Sequence, residues 1–160
     1  MDDYEKYLRF AIRFLGRRPR SVKEVRDRLI MRQASPEVAD RVIDRLSSEK
    51  FLNDAEFAGW WIRQRTEFRP KPRRVILLEL SQKGIPREVA EEALGAEDTP
   101  YENDIEQAKK VGEKQIRRYR TFSRDEAREK LAVFLARRGF SWETIKRCID
   151  EILALQYNRD

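Results

Sequence analysis

Residues 20–46 read RSVKEVRDRLIMRQASPEVADRVIDRL, and a similar pattern returns at 71–94 and again at 123–153. Aligning the three stretches superposes one apolar position in the middle of the pattern and another near its end. These positions are Leu29, Leu80 and Leu135, and Ile43, Leu94 and Ile149. Tandem repeats of this size are typical of small helical modules that stack, because one module alone cannot bury its apolar face. We therefore predict an elongated all-α protein of three tandem three-helix units.

Capping residues mark the ends of the predicted helices. Ser21 with Glu24 and Ser123 with Glu126 are capping boxes at matching places in the first and third modules. We predict helices at 4–16, 22–32 and 36–46, at 54–67, 72–83 and 86–94, and at 104–119, 124–138 and 142–157. The three modules are predicted to occupy 1–50, 51–97 and 98–160.

Composition excludes several functional classes. The chain has no histidine and a single cysteine, Cys148, so the commonest general base and metal ligand and any internal disulfide are missing. Cys148 lies among apolar residues and is interpreted as a packing residue. Neither a P-loop nor a dinucleotide fingerprint occurs. The apolar runs are too short to span a bilayer. We expect a cytoplasmic, non-enzymatic protein without cofactor, metal or membrane contact.

Basic residues gather between the first and second predicted helix of every module, and the net charge is +6. The three basic clusters are Arg17, Arg18 and Arg20, then Lys71, Arg73 and Arg74, then Arg117, Arg118 and Arg120. Tyr119, beside the third cluster, is a candidate for stacking on a base. Regularly stacked modules would align the clusters into a stripe that suits a phosphate backbone or a repeating acidic partner. The alternative is that these charges only hydrate exposed loops.

Two further patterns restrict the interpretation. The third helix of each module carries a net negative charge, which argues against its insertion into the major groove of a DNA duplex. Trp60 and Trp61 point about 100° apart on a helix, so only one can enter the core of its own module. We predict that Trp61 does so and that Trp60 packs against a neighbouring module or a partner.

Three stretches follow one another along the chain: 18–25 (RPRSVKEV), 51–58 (FLNDAEFA) and 137–141 (RRGFS). In this order they resemble the signature segments of the RecX family of bacterial recombination regulators. There are departures from the family pattern: Lys50 and Lys71 occupy places where family members often have glycine.

This resemblance implies a monomer that lies in the helical groove of the RecA filament on single-stranded DNA. Family members inhibit strand exchange, ATP hydrolysis and the co-protease action of RecA, and they bind DNA weakly on their own. The implied setting is DNA repair, recombination and the SOS response. The residues themselves leave two alternatives open: a stand-alone single-stranded nucleic-acid-binding protein, and a structural adaptor for another partner.

Overall fold

The computed structural model describes residues 3–157, and within this range all regular structure is helical. The helices are α1 Asp3–Leu15, α2 Val22–Met31, α3 Pro36–Ser48, α4 Asp54–Phe68, α5 Arg73–Gln82, α6 Arg87–Leu94, α7 Asp104–Ile116, α8 Arg124–Arg137 and α9 Trp142–Tyr157. A 3₁₀ turn at Arg117–Tyr119 follows α7, where the sequence predicted the same helix to continue. The three-helix modules are confirmed. No helix between residues 3 and 157 is long and apolar enough to cross a membrane.

Local hydrogen bonds explain why the helices begin where they do. The Ser21 hydroxyl accepts from the backbone N–H of Glu24, and the Glu24 carboxylate accepts from the N–H of Ser21. The same reciprocal pair joins Ser123 and Glu126. Both predicted capping boxes are therefore confirmed, and each satisfies N–H groups that a helix start leaves without partners.

The chain forms two compact units, which are Met1–Trp61 with Leu78–Ala96 (unit 1) and Ile62–Leu77 with Glu97–Asp160 (unit 2). Both α4 and α5 are divided between them, so each unit contains part of the second module. The predicted module boundaries at 50/51 and 97/98 stay predictions.

Each unit has its own apolar core. In unit 1, Val25, Leu29 and Leu46 are fully buried among α1, α2 and α3. In unit 2, the core of the third module includes Leu131 and Cys148. The Cys148 thiol has no exposed surface, and burial raises its pKa, as expected of a packing residue.

In each unit, consecutive modules are linked by a hydrogen bond from a backbone N–H at the start of one helix to an aspartate at the start of another. We call this contact, with the residues packed around it, the joint. In unit 1, the Val22 N–H at the start of α2 donates to the Asp54 carboxylate at the start of α4, with N and Oδ1 3.0 Å apart. In unit 2, the Arg73 N–H at the start of α5 donates to Asp104 at the start of α7, at 2.7 Å. Each carboxylate also lies at the amino ends of helices, where the helix dipole favours negative charge.

A glycine in a turn packs closely against the preceding module at both joints. Gly84 and Gly139 have φ of +78° and +98°, in the left-handed region that favours glycine. A Cβ on Gly84 would lie 2.6 Å from Lys23 Cβ in α2, and one on Gly139 would lie 2.6 Å from Val75 Cγ2 in α5. Gln33, at the matching turn of the first module, has a φ of +66° but an exposed side chain. Close packing against the preceding module therefore adds a requirement for glycine beyond the backbone conformation.

Both tryptophans are half-buried. The prediction that Trp61 enters the core of its own module is wrong, whereas the prediction that Trp60 packs against a neighbouring module is confirmed. Phe57, rather than Trp61, is buried at this point of α4, and the indole N–H of Trp61 donates to Glu79 Oε2 at 2.8 Å. Trp60 contacts the first module as predicted, since the Arg18 guanidinium lies 5.5 Å from its ring centroid. Amphipathic side chains such as Trp often keep their polar edge near the surface in this way.

Candidate functional site

The first basic cluster, in the loop between α1 and α2, has only one fully exposed member. Arg17 is exposed, whereas Arg18 and Arg20 are half-buried. Arg18 Nη2 lies 2.7 Å from Glu24 Oε1, and Lys83 Nζ lies 3.0 Å from the same oxygen. Burial alone would raise the pKa of Glu24, but hydrogen bonds from Arg18, Lys83 and the Ser21 N–H lower it. Arg18 thus stabilises the joint between the first two modules.

Arg20 is held by an aromatic ring. Its guanidinium carbon lies 3.9 Å from the centroid of Phe14, and its Nε is buried without a hydrogen-bond partner. Burial lowers the pKa of Arg20, and the nearby charges of Arg18, Arg17 and Arg28 lower it further, against an opposing effect of Glu24. The surroundings of Arg20 are therefore crowded with positive charge.

The second basic cluster contributes its backbone to the joint in unit 2. Lys71 and Arg73 are half-buried, and Arg74 is exposed. The Arg73 N–H donates to Asp104, and the Gln107 amide donates to the Lys71 carbonyl oxygen at 3.4 Å. Arg74 is thus the member of this cluster whose side chain is presented to solvent.

The third basic cluster is the most exposed. Arg117 and Arg118 lie on the 3₁₀ turn after α7, and Arg120 directly follows it. All three are exposed, and none forms an ion pair with another residue of the range 3–157. Arg117 and Arg120 line a depression of about 540 Å³ together with Leu155, whose side chain is also exposed. Glu113 also lines the depression, so two guanidinium groups and one carboxylate adjoin the apolar surface. The net positive charge is suited to a partner that carries both acidic and apolar groups.

Tyr119 occupies a different environment from its basic neighbours. Its ring is half-buried against the core of the third module and meets Phe122 edge-on, with ring centroids 6.2 Å apart. Its hydroxyl accepts from Gln115, and Tyr157 donates to its carbonyl oxygen at 2.8 Å. This geometry is that of packing at a helix end, so it lends no support to base stacking by Tyr119.

An apolar groove adjoins the first basic cluster in unit 1. It has a volume of about 530 Å³, and its lining includes Ile12, Phe51, Arg17 and Arg18. Ile12 and Phe51 are 50% and 62% exposed, which is unusual for side chains of this size. Apolar surface rimmed by arginine is typical of sites that bind other proteins.

Sequence reasoning missed three arginines. Arg13, Arg28 and Arg32 meet Arg17 around a pocket between α1 and α2. The spacing of four between Arg13 and Arg17 and between Arg28 and Arg32 was visible in the sequence, but the meeting of the two pairs depends on how the helices pack. No group of three or more metal-ligating side chains occurs among residues 3–157.

Of the ten residues predicted to form the site, the structure presents five as exposed side chains: Arg17, Arg74, Arg117, Arg118 and Arg120. Arg18, Arg20, Lys71, Arg73 and Tyr119 are half-buried. Arg17 belongs to unit 1, and the other four exposed arginines belong to unit 2. A continuous basic stripe along all three modules stays a prediction.

The chain is similar to RecX proteins both domain by domain and over most of its length. Models of the first, second and third three-helix domains of RecX match residues 8–46, 53–94 and 102–149. The regulatory protein RecX of Prosthecochloris aestuarii is 34% identical over 151 residues, which are 94% of this chain and 96% of that protein. The regulatory protein RecX of Bacillus subtilis is also 34% identical, over 99% of this chain but only 58% of the relative.

A solved structure agrees with the sequence comparisons. The crystal structure of RecX from Lactobacillus salivarius superposes with a TM-score of 0.72 at 29% identity, covering 94% of this chain and 97% of that one. The three domain matches follow the order of the three-helix modules that the structure shows. The chain therefore belongs to the RecX family.

Proposed function

We propose that this protein regulates the RecA recombinase by binding its filament on single-stranded DNA. Binding would inhibit strand exchange, ATP hydrolysis and the co-protease action of the filament. The observation that carries the proposal is the presence of all three RecX domains in order, together covering most of the chain. The proposal includes a role in DNA repair, recombination and the SOS response, a monomeric state and a cytoplasmic location.

The exposed surface supports a protein partner. The groove at Ile12 and Phe51 and the depression at Leu155 both combine apolar surface with arginines of the basic clusters. A bare nucleic-acid strand would use the arginines and stack a base on Phe51, but it would gain less from the aliphatic side chains of Ile12 and Leu155. A filament presents the same subunit face repeatedly, so several weak contacts along one chain can add through effective concentration.

The primary test is a titration of RecA ATPase activity on single-stranded DNA with this protein. We expect inhibition near the stoichiometry at which one molecule bridges a few RecA subunits. An unchanged ATPase rate at equimolar protein would contradict the proposal.

A pair of matched variants tests the contribution of the third basic cluster. Arg117→Gln with Arg118→Gln removes two exposed, unpaired charges, so inhibition should weaken while the free energy of unfolding changes little. The control, Arg137→Gln with Lys146→Gln, makes the same change in charge at exposed positions of the same unit. Equal losses of inhibition in both variants would show that only net charge matters.

A salt titration with a single-stranded oligonucleotide, without RecA, tests the stand-alone binding function. That alternative requires tight binding with a slope of roughly 0.7 logarithmic units per phosphate contact. Weak binding at moderate salt, together with ATPase inhibition, favours regulation of RecA.

A further inference from the structure

A pocket of about 380 Å³ lies between α1 and α2 in unit 1. Its lining consists of two phenylalanines and four arginines: Phe10, Arg13, Phe14, Arg17, Arg28 and Arg32. The volume is in the range of small-molecule binding sites. Three of these arginines were not part of the predicted stripe, so the pocket is a separate feature of the molecule.

The positive charge of the pocket is not neutralised by nearby carboxylates. None of its four arginines forms an ion pair within residues 3–157, whereas Arg26 and Arg45 of the same unit pair with Asp40 and Glu49. Arg20 adds a fifth guanidinium group, which lies against the Phe14 ring. Burial lowers the pKa of Arg20, and so does repulsion from Arg18, Arg17 and Arg28 against the opposing effect of Glu24, which agrees with a net positive potential beside the pocket.

Favourable interaction with the helix dipoles explains only part of this clustering of arginines. Arg13 lies in the last turn of α1, and Arg28 lies in the last turn of α2. A helix carboxyl end carries about half a negative charge, so the two ends supply about one negative charge against four positive ones. Stabilisation of the helix ends is therefore an insufficient explanation for the whole cluster.

The phenylalanines contact two of the four arginine side chains of the pocket. Phe10 and Phe14 are stacked, with centroids 6.0 Å apart and ring planes 12° apart. The Arg32 guanidinium carbon lies 4.3 Å from the Phe10 centroid, and that of Arg28 lies 5.9 Å from the Phe14 centroid. A guanidinium group held against a ring keeps the N–H donors along its edge available for hydrogen bonds to an anion. Less side-chain entropy is then lost when the anion binds.

We propose that this pocket binds the phosphate groups of a free polyphosphate, because it gathers four arginines around one depression of about 380 Å³. A single carboxylate offers one charge and two oxygens to four guanidinium groups. Phosphate groups offer more charge and more acceptor oxygens in an arrangement that matches the guanidinium fork. The proposal goes beyond regulation of RecA and does not depend on it.

Two probes separate the sources of phosphate. Inorganic triphosphate and a short oligothymidylate are titrated into the full chain at fixed ionic strength, with hexaglutamate as an acidic peptide for comparison. We expect triphosphate to bind more tightly than oligothymidylate, whereas oligothymidylate binding that is as tight or tighter would overturn the proposal. No binding of either probe, or hexaglutamate binding as tight as both, would overturn the proposal.

Matched variants locate the site. Arg28→Gln with Arg32→Gln should weaken binding about tenfold for each charge-assisted hydrogen-bonding group removed. Arg41→Gln with Arg87→Gln removes the same charge from exposed positions of unit 1 outside the pocket, and affinity should change by less than about threefold because the solvent screens distant charges. Equal effects of the two double variants would refute the pocket as the site.

Two additional variants distinguish a loss of binding from a loss of folding. Arg13→Gln with Arg17→Gln removes charge from the α1 side of the pocket and should weaken binding in the same way. Arg28→Lys with Arg32→Lys keeps the charge but removes the fork, so it should restore part of the affinity lost in the glutamine variant. Circular dichroism confirms that each variant is folded. Folded variants that bind as tightly as the parent chain would count against the proposal.

Discussion

The substitution Gly139→Ala should destabilise unit 2 by two separable effects. Gly139 has a φ of +98°, and a residue with a Cβ in left-handed backbone conformations costs about 1–2 kcal/mol. The new methyl group would also lie 2.6 Å from Val75 Cγ2, closer than Cβ atoms approach other carbon atoms. Relief of such overpacking by small shifts typically costs about 1–3 kcal/mol. The expected loss in the free energy of unfolding is therefore about 2–5 kcal/mol.

Urea denaturation followed by circular dichroism measures this loss, and a second background separates the two effects. In Val75→Ala the close contact disappears, so adding Gly139→Ala should cost only the conformational part of about 1–2 kcal/mol. Gly95→Ala is the matched control, because Gly95 has a negative φ of −94° and its Cβ would meet backbone atoms only at 3.5 Å or beyond. A loss below about 1 kcal/mol for Gly139→Ala, or an equal loss in both backgrounds, would refute the steric argument.

Three further predictions concern stability. Asp54→Ala leaves the half-buried Val22 N–H without its acceptor and should lower the free energy of unfolding by about 1–3 kcal/mol in urea titrations, whereas a change below about 0.5 kcal/mol would contradict the role of this joint. Burial and the hydrogen bond to Asp104 raise the pKa of Tyr101, so this contribution to stability is complete below about pH 10 and lost as pH rises further, because the unfolded chain ionises first. The difference in unfolding free energy between the parent chain and Tyr101→Phe, measured from pH 8 to 11, should shrink with rising pH, and a constant difference would exclude this linkage. Leu131→Ala removes a fully buried side chain and should cost about 2–5 kcal/mol, measured as a lowered urea midpoint, and a shift within the error of the titration would contradict its place in the core.

The helices and their ends could be predicted from the sequence because their causes are local. A capping box joins residues three positions apart, and helical periodicity repeats within each turn. The prediction failed at the end of α7, where a 3₁₀ turn covers Arg117–Tyr119. There the Tyr157 hydroxyl donates to the carbonyl oxygens of Tyr119 and Phe122, and this contact spans more than thirty positions of sequence.

The joints between modules show the limit of sequence reasoning. Asp54 and Asp104 were visible as residues near helix starts, but their bonds to Val22 and Arg73 cross 32 and 31 positions. Two helices were predicted to end at residues 83 and 138, directly before Gly84 and Gly139. The close approach of these glycines to the preceding module became evident only when neighbouring modules were packed together.

The sequence by itself determined that the chain is built from three helical modules with basic residues at or near the junction of their first and second helices. Only the tertiary structure decided which of those residues present free charge. Arg18 forms an ion pair with Glu24, and Arg20 packs on the ring of Phe14, whereas Arg117 and Arg118 are exposed. The physical reason is that helix formation depends on neighbours within one turn, while burial and ion pairing depend on side chains that packing brings together.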